Sequence, residues 1–141
     1  MNENRYSAAA AALPGGQLLV TGGLNQPIIN VNSTELLTET GWENTVPFLS
    51  FTIAHHCMVT VNSTTVMAIG GSQGGSYSGK THYYSTGTNS WIEGPQMKYS
   101  RDFLSCGRIR RDQESQEMSI IVAGGYNFDP LAVVEILDAG T

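Results

Sequence analysis

Apolar residues in this chain fall into short runs that end in paired glycines. Leu18-Leu19-Val20-Thr21 leads into Gly22-Gly23, Val66-Met67-Ala68-Ile69 into Gly70-Gly71, and Ile120-Ile121-Val122-Ala123 into Gly124-Gly125. The pairs are 48 and then 54 residues apart. Each is followed by a loop and a second short run: Thr34-Glu35-Leu36-Leu37, Thr81-His82-Tyr83-Tyr84 and Val134-Glu135-Ile136-Leu137. Trp42 and Trp91 then fall 19 and 20 residues after the second glycine of their pairs. Landmarks of several kinds in one order at nearly constant offsets mark an internal repeat.

The runs are rich in Val, Ile, Thr and Tyr, are bounded by Gly, Asn, Ser and Pro, and show no sustained helical period, so they predict strands. Four strands per unit follow, lettered A to D. The first unit has 7–13, a Pro14-Gly15-Gly16 hairpin, 17–21, 33–38 and 41–47. The second has 53–61, a turn over Asn62 to Thr64, 65–69, 80–85 and 90–93. The third has 102–110, a polar turn over 111–117, 118–123 and 132–137, and it reaches Thr141 without a strand D.

Gly pairs after an apolar strand, an aromatic or aliphatic run about twelve residues on, Trp42 and Trp91, and Gly94-Pro95 with Arg101 following together resemble the kelch repeat. Leu37 and Leu137 stand where Tyr84 supplies that family's aromatic, and Thr52 is aligned with the basic residues Arg5 and Arg101. The resemblance implies an all-β propeller segment of three four-stranded blades, the last lacking its outer strand, with strand A nearest the axis. The expected blades are residues 5–49, 50–98 and 99–141, and neighbouring blades of the same chain are expected beyond them, because three are fewer than close a ring. In that frame Gly22, Gly23, Trp42, Gly70, Gly71, Tyr84, Trp91, Gly124 and Gly125 build blades. The B to C loops, 24–32, 72–79 and 126–131, are left to recognise a partner. Their candidate contacts are Asn25, Gln26, Gln73, Tyr77, Tyr126, Asn127 and Phe128, since aromatic rings give contact area at low entropy and amides give adaptable hydrogen bonds. The expected role is a non-catalytic scaffold for a protein partner. The alternative is the propeller of a galactose-oxidase-like copper radical oxidase or another carbohydrate-active protein.

Composition narrows this further. The 141 residues are 40% hydrophobic but only 13% charged, a turn-rich β composition. The net charge of -5 offers no footprint for nucleic acid, and the basic cluster Arg108, Arg110 and Arg111 is followed by Asp112, Glu114 and Glu117. The longest apolar run, Ala8 to Leu13, is far too short to span a bilayer and is not flanked as a signal peptide would be. Asn32-Ser33-Thr34 and Asn62-Ser63-Thr64 match the glycosylation sequon, but nine Asn with 26 Ser and Thr give about 1.7 such matches by chance.

No residue set predicts a cofactor or metal. His55-His56-Cys57 has ligand chemistry, yet neighbours on a strand point to opposite faces, and His82 is placed on strand C. The tyrosines Tyr6, Tyr77, Tyr83, Tyr84, Tyr99 and Tyr126 match no copper-ligand arrangement with a Cys and two His. Cys57 and Cys106 align in the overlaid repeats, which predicts free, buried thiols too far apart to bridge. The glycines from Gly70 to Gly75 lack the Gly-Lys-Ser/Thr of a phosphate loop, and no nucleophile elbow surrounds a serine.

Overall fold

The computed structural model describes residues 1–26, 29–45, 52–111 and 117–138. Strands β1 (Ala9–Leu13), β2 (Gln17–Thr21), β5 (Thr34–Thr38) and β6 (Gly41–Asn44) form one antiparallel sheet in the order β1-β2-β5-β6. Strands β7 (Cys57–Thr60), β8 (Thr65–Ile69), β11 (Thr81–Ser85) and β12 (Ser90–Glu93) form a second in the same order. A third holds β13 (Ser105–Arg110), β14 (Met118–Ala123) and β17 (Val134–Asp138). Among the described residues these are two complete four-stranded blades and one three-stranded blade without an outer strand. Each loop between the second and third blade strands carries a two-stranded ribbon: β3 (Leu24–Asn25) with β4 (Ile29–Asn30), β9 (Ser72–Gln73) with β10 (Ser76–Tyr77), and β15 (Tyr126–Asn127) with β16 (Asp129–Pro130). No helix occurs among the described residues, hence none able to cross a membrane.

Alternation along the strands sorts side chains between the two faces of each blade. Ala9, Ala11, Leu13, Leu19 and Leu36 of the first blade pack against Met58, Val66, Ala68, Tyr84 and Trp91 of the second. The opposite face of the second blade, Cys57, Val59, Met67, Ile69 and Tyr83, meets Cys106, Ile120, Val122 and Leu137 of the third. Full burial of such side chains contributes about 1.5–3 kcal/mol each. Tyr84 and Trp91, paired across β11 and β12, sit with ring centroids 5.1 Å apart, and the Tyr84 hydroxyl bonds Asn89 Oδ1 at 2.9 Å. The outward face of the third blade is bare, with Val134 and Ile136 exposed at 56% and 45%.

The two glycines of each pair serve different contacts. Gly22 and Gly70, at φ 64° and 63°, press toward the next blade, and a Cβ on Gly70 would lie 2.8 Å from the Arg101 carbonyl oxygen. Gly23 and Gly71 press toward their own blade: a Cβ on Gly71 would lie 2.7 Å from the Ala54 carbonyl. Gly23 and Gly71 then donate backbone N–H bonds to Ile53 and Arg101 of the following blade, at 2.8 and 2.9 Å.

Four expectations change. The first strands of blades begin later than periodicity suggests, because Ser7, His55 and Phe103 take the left-handed conformation at φ 55°, 56° and 50° just before β1, β7 and β13. The register aligns Ile53, not Thr52, with Arg5 and Arg101, since Tyr6, Ala54 and Asp102 are the equivalent residues that bridge the position after each glycine pair. Cys57 and Cys106 are not free thiols. They form a disulfide with a Cα separation of 6.0 Å. They are also not equivalent: Cys57 pairs with Ile69 and Cys106 with Val122, one step further along its strand. That single step is the reason they meet. Equivalent residues on adjacent blades point the same way around the axis, whereas a one-residue offset turns Cys106 back toward Cys57.

The disulfide closes a loop of 49 residues, for which chain entropy gives about 4 kcal/mol and engineered cases about 2–4 kcal/mol. We therefore expect the Cys57→Ala/Cys106→Ala variant to lose about 2–4 kcal/mol in denaturant titration. Reductant should lower wild type to the same midpoint and leave the variant unmoved; equal midpoints for all samples would refute the staple.

Candidate functional site

The loops between second and third blade strands lie at the same end of the sheets as the segments leading into β1, β7 and β13, joined by the bridges Tyr6 to Leu24, Ala54 to Ser72 and Asp102 to Tyr126. This end forms a rim. The hairpin turns at 14–16 and 62–64 lie at the other end.

At the junction of the second and third blades the rim is aromatic. The Tyr77 ring meets Tyr126 edge-on at 5.9 Å and Phe128 edge-on at 5.2 Å, so residues from two blades share one cluster. Phe128 is 80% exposed and sits at φ 59° in the turn of the β15–β16 ribbon. The corresponding ribbon of the second blade turns on Gly74 and Gly75. A bulky side chain in that backbone region carries strain of about 1–3 kcal/mol. Tyr77, Asn127 and Phe128, with Gly75, Ser76 and Ser100, line an open groove of about 340 Å³.

A second aromatic pair lies inward of the first. Phe103, 63% exposed, stacks on the His55 ring at 4.0 Å. His55 Nδ1 faces the Ser72 hydroxyl at 3.2 Å and Asp102 Oδ2 at 3.9 Å. Burial pushes the Asp102 carboxyl up, opposed by the charge of His55 and a hydrogen bond from Ser72. Ser72 pairs with Tyr77 and Asp102 bridges Tyr126, so the two aromatic groups are contiguous. Sequence periodicity missed His55 and Phe103 because both were placed on regular strands; their shared left-handed φ is what turns them onto the rim.

The polar candidates divide. Asn127 Nδ2 donates to the Ser100 carbonyl at 2.8 Å and Asn25 Nδ2 to Glu3 Oε1 at 3.3 Å, so both amides brace their loops. Gln26 and Gln73 are exposed, but Asn25 and Gln26 belong to the first blade's loop, apart from the aromatic cluster. Trp42 lies on the outward face of the first blade, opposite Leu37.

His55 and His56 do not act together. His56 is buried between blades: Gly71 leaves room for its Cβ, Gly22 for its ring, and Leu104 fills the equivalent place in the third blade. Burial, with the nearby charge of His55, pushes His56 down to about 3. His82, opposite Ala68 in β8, is pushed down to about 4 by burial above all. No three His, Cys, Asp or Glu side chains converge as metal ligands would among the described residues.

Compared with known proteins, residues 54–98 match the Kelch motif, which covers the second blade from the bridge at Ala54 past β12. No curated protein matches the chain.

Both buried histidines stay neutral in the fold, while unfolded histidine titrates near 6.5. Protons therefore favour the unfolded chain as pH falls from about 6.5 toward 4, at up to about 1.4 kcal/mol per unit for each group. Denaturant midpoints measured from pH 8 to 4 should be flat above 7 and fall below 6.5. His56→Leu should remove about half of that slope, and an unchanged slope would refute the assignment.

Proposed function

We propose that this kelch propeller segment is a non-catalytic interaction module whose rim at the junction of the second and third blades holds a protein partner. Kelch-motif propellers typically serve in protein interaction, and the reading rests on Phe128. An aromatic ring that is four-fifths exposed in a backbone conformation suited to glycine gains within the fold an edge-on contact with Tyr77, about 0.5–1.5 kcal/mol, against backbone strain of about 1–3 kcal/mol. Strain of that kind belongs with a function. The groove beside it is open at the surface and walled by Tyr77, which suits an extended segment that seats an apolar side chain against both rings. Tyr126, Phe103 and His55 extend the same surface inward.

The outward apolar faces are read as seats for further blades. Gly124 keeps φ 64° as Gly22 and Gly70 do, yet a Cβ there would lie 3.8 Å from the Leu131 carbonyl oxygen with no described residue of a following blade against it. A longer chain carrying further blades should unfold at higher denaturant than these residues alone; equal midpoints would reject that reading.

Phe128→Gly gives the decisive contrast. The variant should lose at least tenfold in partner affinity, about 1.4 kcal/mol, while its stability is kept or rises, because relief of about 1–3 kcal/mol of turn strain offsets the lost Tyr77 contact of about 0.5–1.5 kcal/mol. Tyr77→Ala should weaken the same partner. Affinity capture from the cells that make the protein, followed by titration of the recovered partner, reads the first effect, and denaturant unfolding reads the second. Unchanged affinity, or a clear loss of stability in Phe128→Gly, would make the ring a packing residue.

A further inference from the structure

The aromatic groove at the junction of the second and third blades uses neither the disulfide nor the two sequons, and the structure separates those sequons sharply. Asn62, Ser63 and Thr64 form the exposed turn between β7 and β8. The Thr64 N–H and hydroxyl both point back to Asn62 Oδ1, at 3.0 and 3.3 Å, so the turn folds the hydroxyl of the sequon onto the amide that would be modified. The Thr64 carbonyl accepts from the N–H and hydroxyl of Thr86, at 2.9 and 3.2 Å, which fixes the turn at the end of the blade opposite the rim. At the other sequon Asn32 is exposed, but Thr34 is buried with its hydroxyl 3.1 Å from that of Thr21, and Ser33 bonds both Arg5 and Glu3. Its hydroxyls are built into the first blade.

We propose that Asn62 is an N-glycosylation site and that the protein matures in an oxidising compartment. The second observation is the Cys57–Cys106 disulfide, which joins two blades and uses both cysteines of the chain. Such bonds persist where glutathione and thioredoxin do not keep thiols reduced, the secretory pathway among those places. Asparagine-linked sugar is added in that pathway. In the transfer, Asn62 Nδ2 bonds to the anomeric carbon of an oligosaccharide carried on a lipid pyrophosphate. The carbon–oxygen bond to the pyrophosphate breaks, the lipid pyrophosphate leaves with the electron pair, and Nδ2 gives up one proton. A glycan there covers the hairpin end and leaves the aromatic rim open.

The test is peptide mapping, without reduction, of the full protein purified from the cells that make it, with and without peptide N-glycosidase. We expect the Cys57–Cys106 cross-link and a glycan on Asn62 in more than half of the molecules, converted to Asp by the glycosidase. Asn62→Gln and, independently, Thr64→Val expressed in the same cells should each abolish it, and Asn32→Gln should leave it in place. An unmodified Asn62 peptide, sugar confined to Asn32, or free thiols at Cys57 and Cys106 would overturn the proposal.

Discussion

Backbone hydrogen bonds between one blade and the next set how closely the blades approach, and one set of them is made by the second glycine of the pair that ends the second strand. Gly23 and Gly71 each donate to a carbonyl of the following blade, at Ile53 and Arg101. A second set of bonds runs alongside: His55 donates to the Ser7 carbonyl at 3.1 Å and Phe103 to that of His55 at 3.0 Å. Any Cβ on Gly70 or Gly71 would fall within 3 Å of a carbonyl oxygen, so a side chain there must push apart atoms that are already bonded. The spacing of the sheets, the depth of Tyr84 and Trp91, and the meeting of Tyr77 with Tyr126 follow from that approach.

The same end of each blade is tied by a buried polar group whose members change together. Arg101 Nη1 bonds the carbonyls of Gly124 and Val133, each at 2.9 Å, and Nη2 bonds Glu135. Arg5 makes the matching bonds to Gly22, Ser33 and Glu35 at 2.8, 3.2 and 2.8 Å. In the second blade Ile53 replaces the arginine and His82 the glutamate. Removing one partner alone would strand a buried charge, at about 3–5 kcal/mol. Replacing both, by an apolar side chain and an imidazole kept neutral, leaves none.

The architecture was legible in the sequence because the repeat reports it three times over. Gly22, Gly70 and Gly124, with their following strands, fix blade number and strand order whatever happens at single positions. What escaped was the residue at the head of each first strand. Ser7, His55 and Phe103 have nothing chemical in common, and only backbone geometry shows that they occupy one position. Periodicity therefore ran the strands through them, shifted the arginine alignment from Ile53 to Thr52, and placed His55 and His56 on alternating faces of a strand that begins only at Cys57. The loop aromatics were visible as residues, but that Tyr77 of one blade touches Phe128 of the next depends on interblade distance, which no single repeat encodes.

The cysteines show how small an error in register can reverse a chemical conclusion. Overlaid as equivalents, Cys57 and Cys106 would point the same way around the axis and stay apart. One residue of offset sends Cys57 to the face of the second blade that looks at the third, and Cys106 to the face of the third that looks back. The first strands of adjacent blades lie side by side, so opposed side chains there are near enough to bond covalently, whereas the outer strands splay apart. In this chain the disulfide between neighbouring blades accordingly joins the innermost strands through a pair of opposite parity, a relation that is visible once the glycine pairs, rather than the cysteines themselves, set the register.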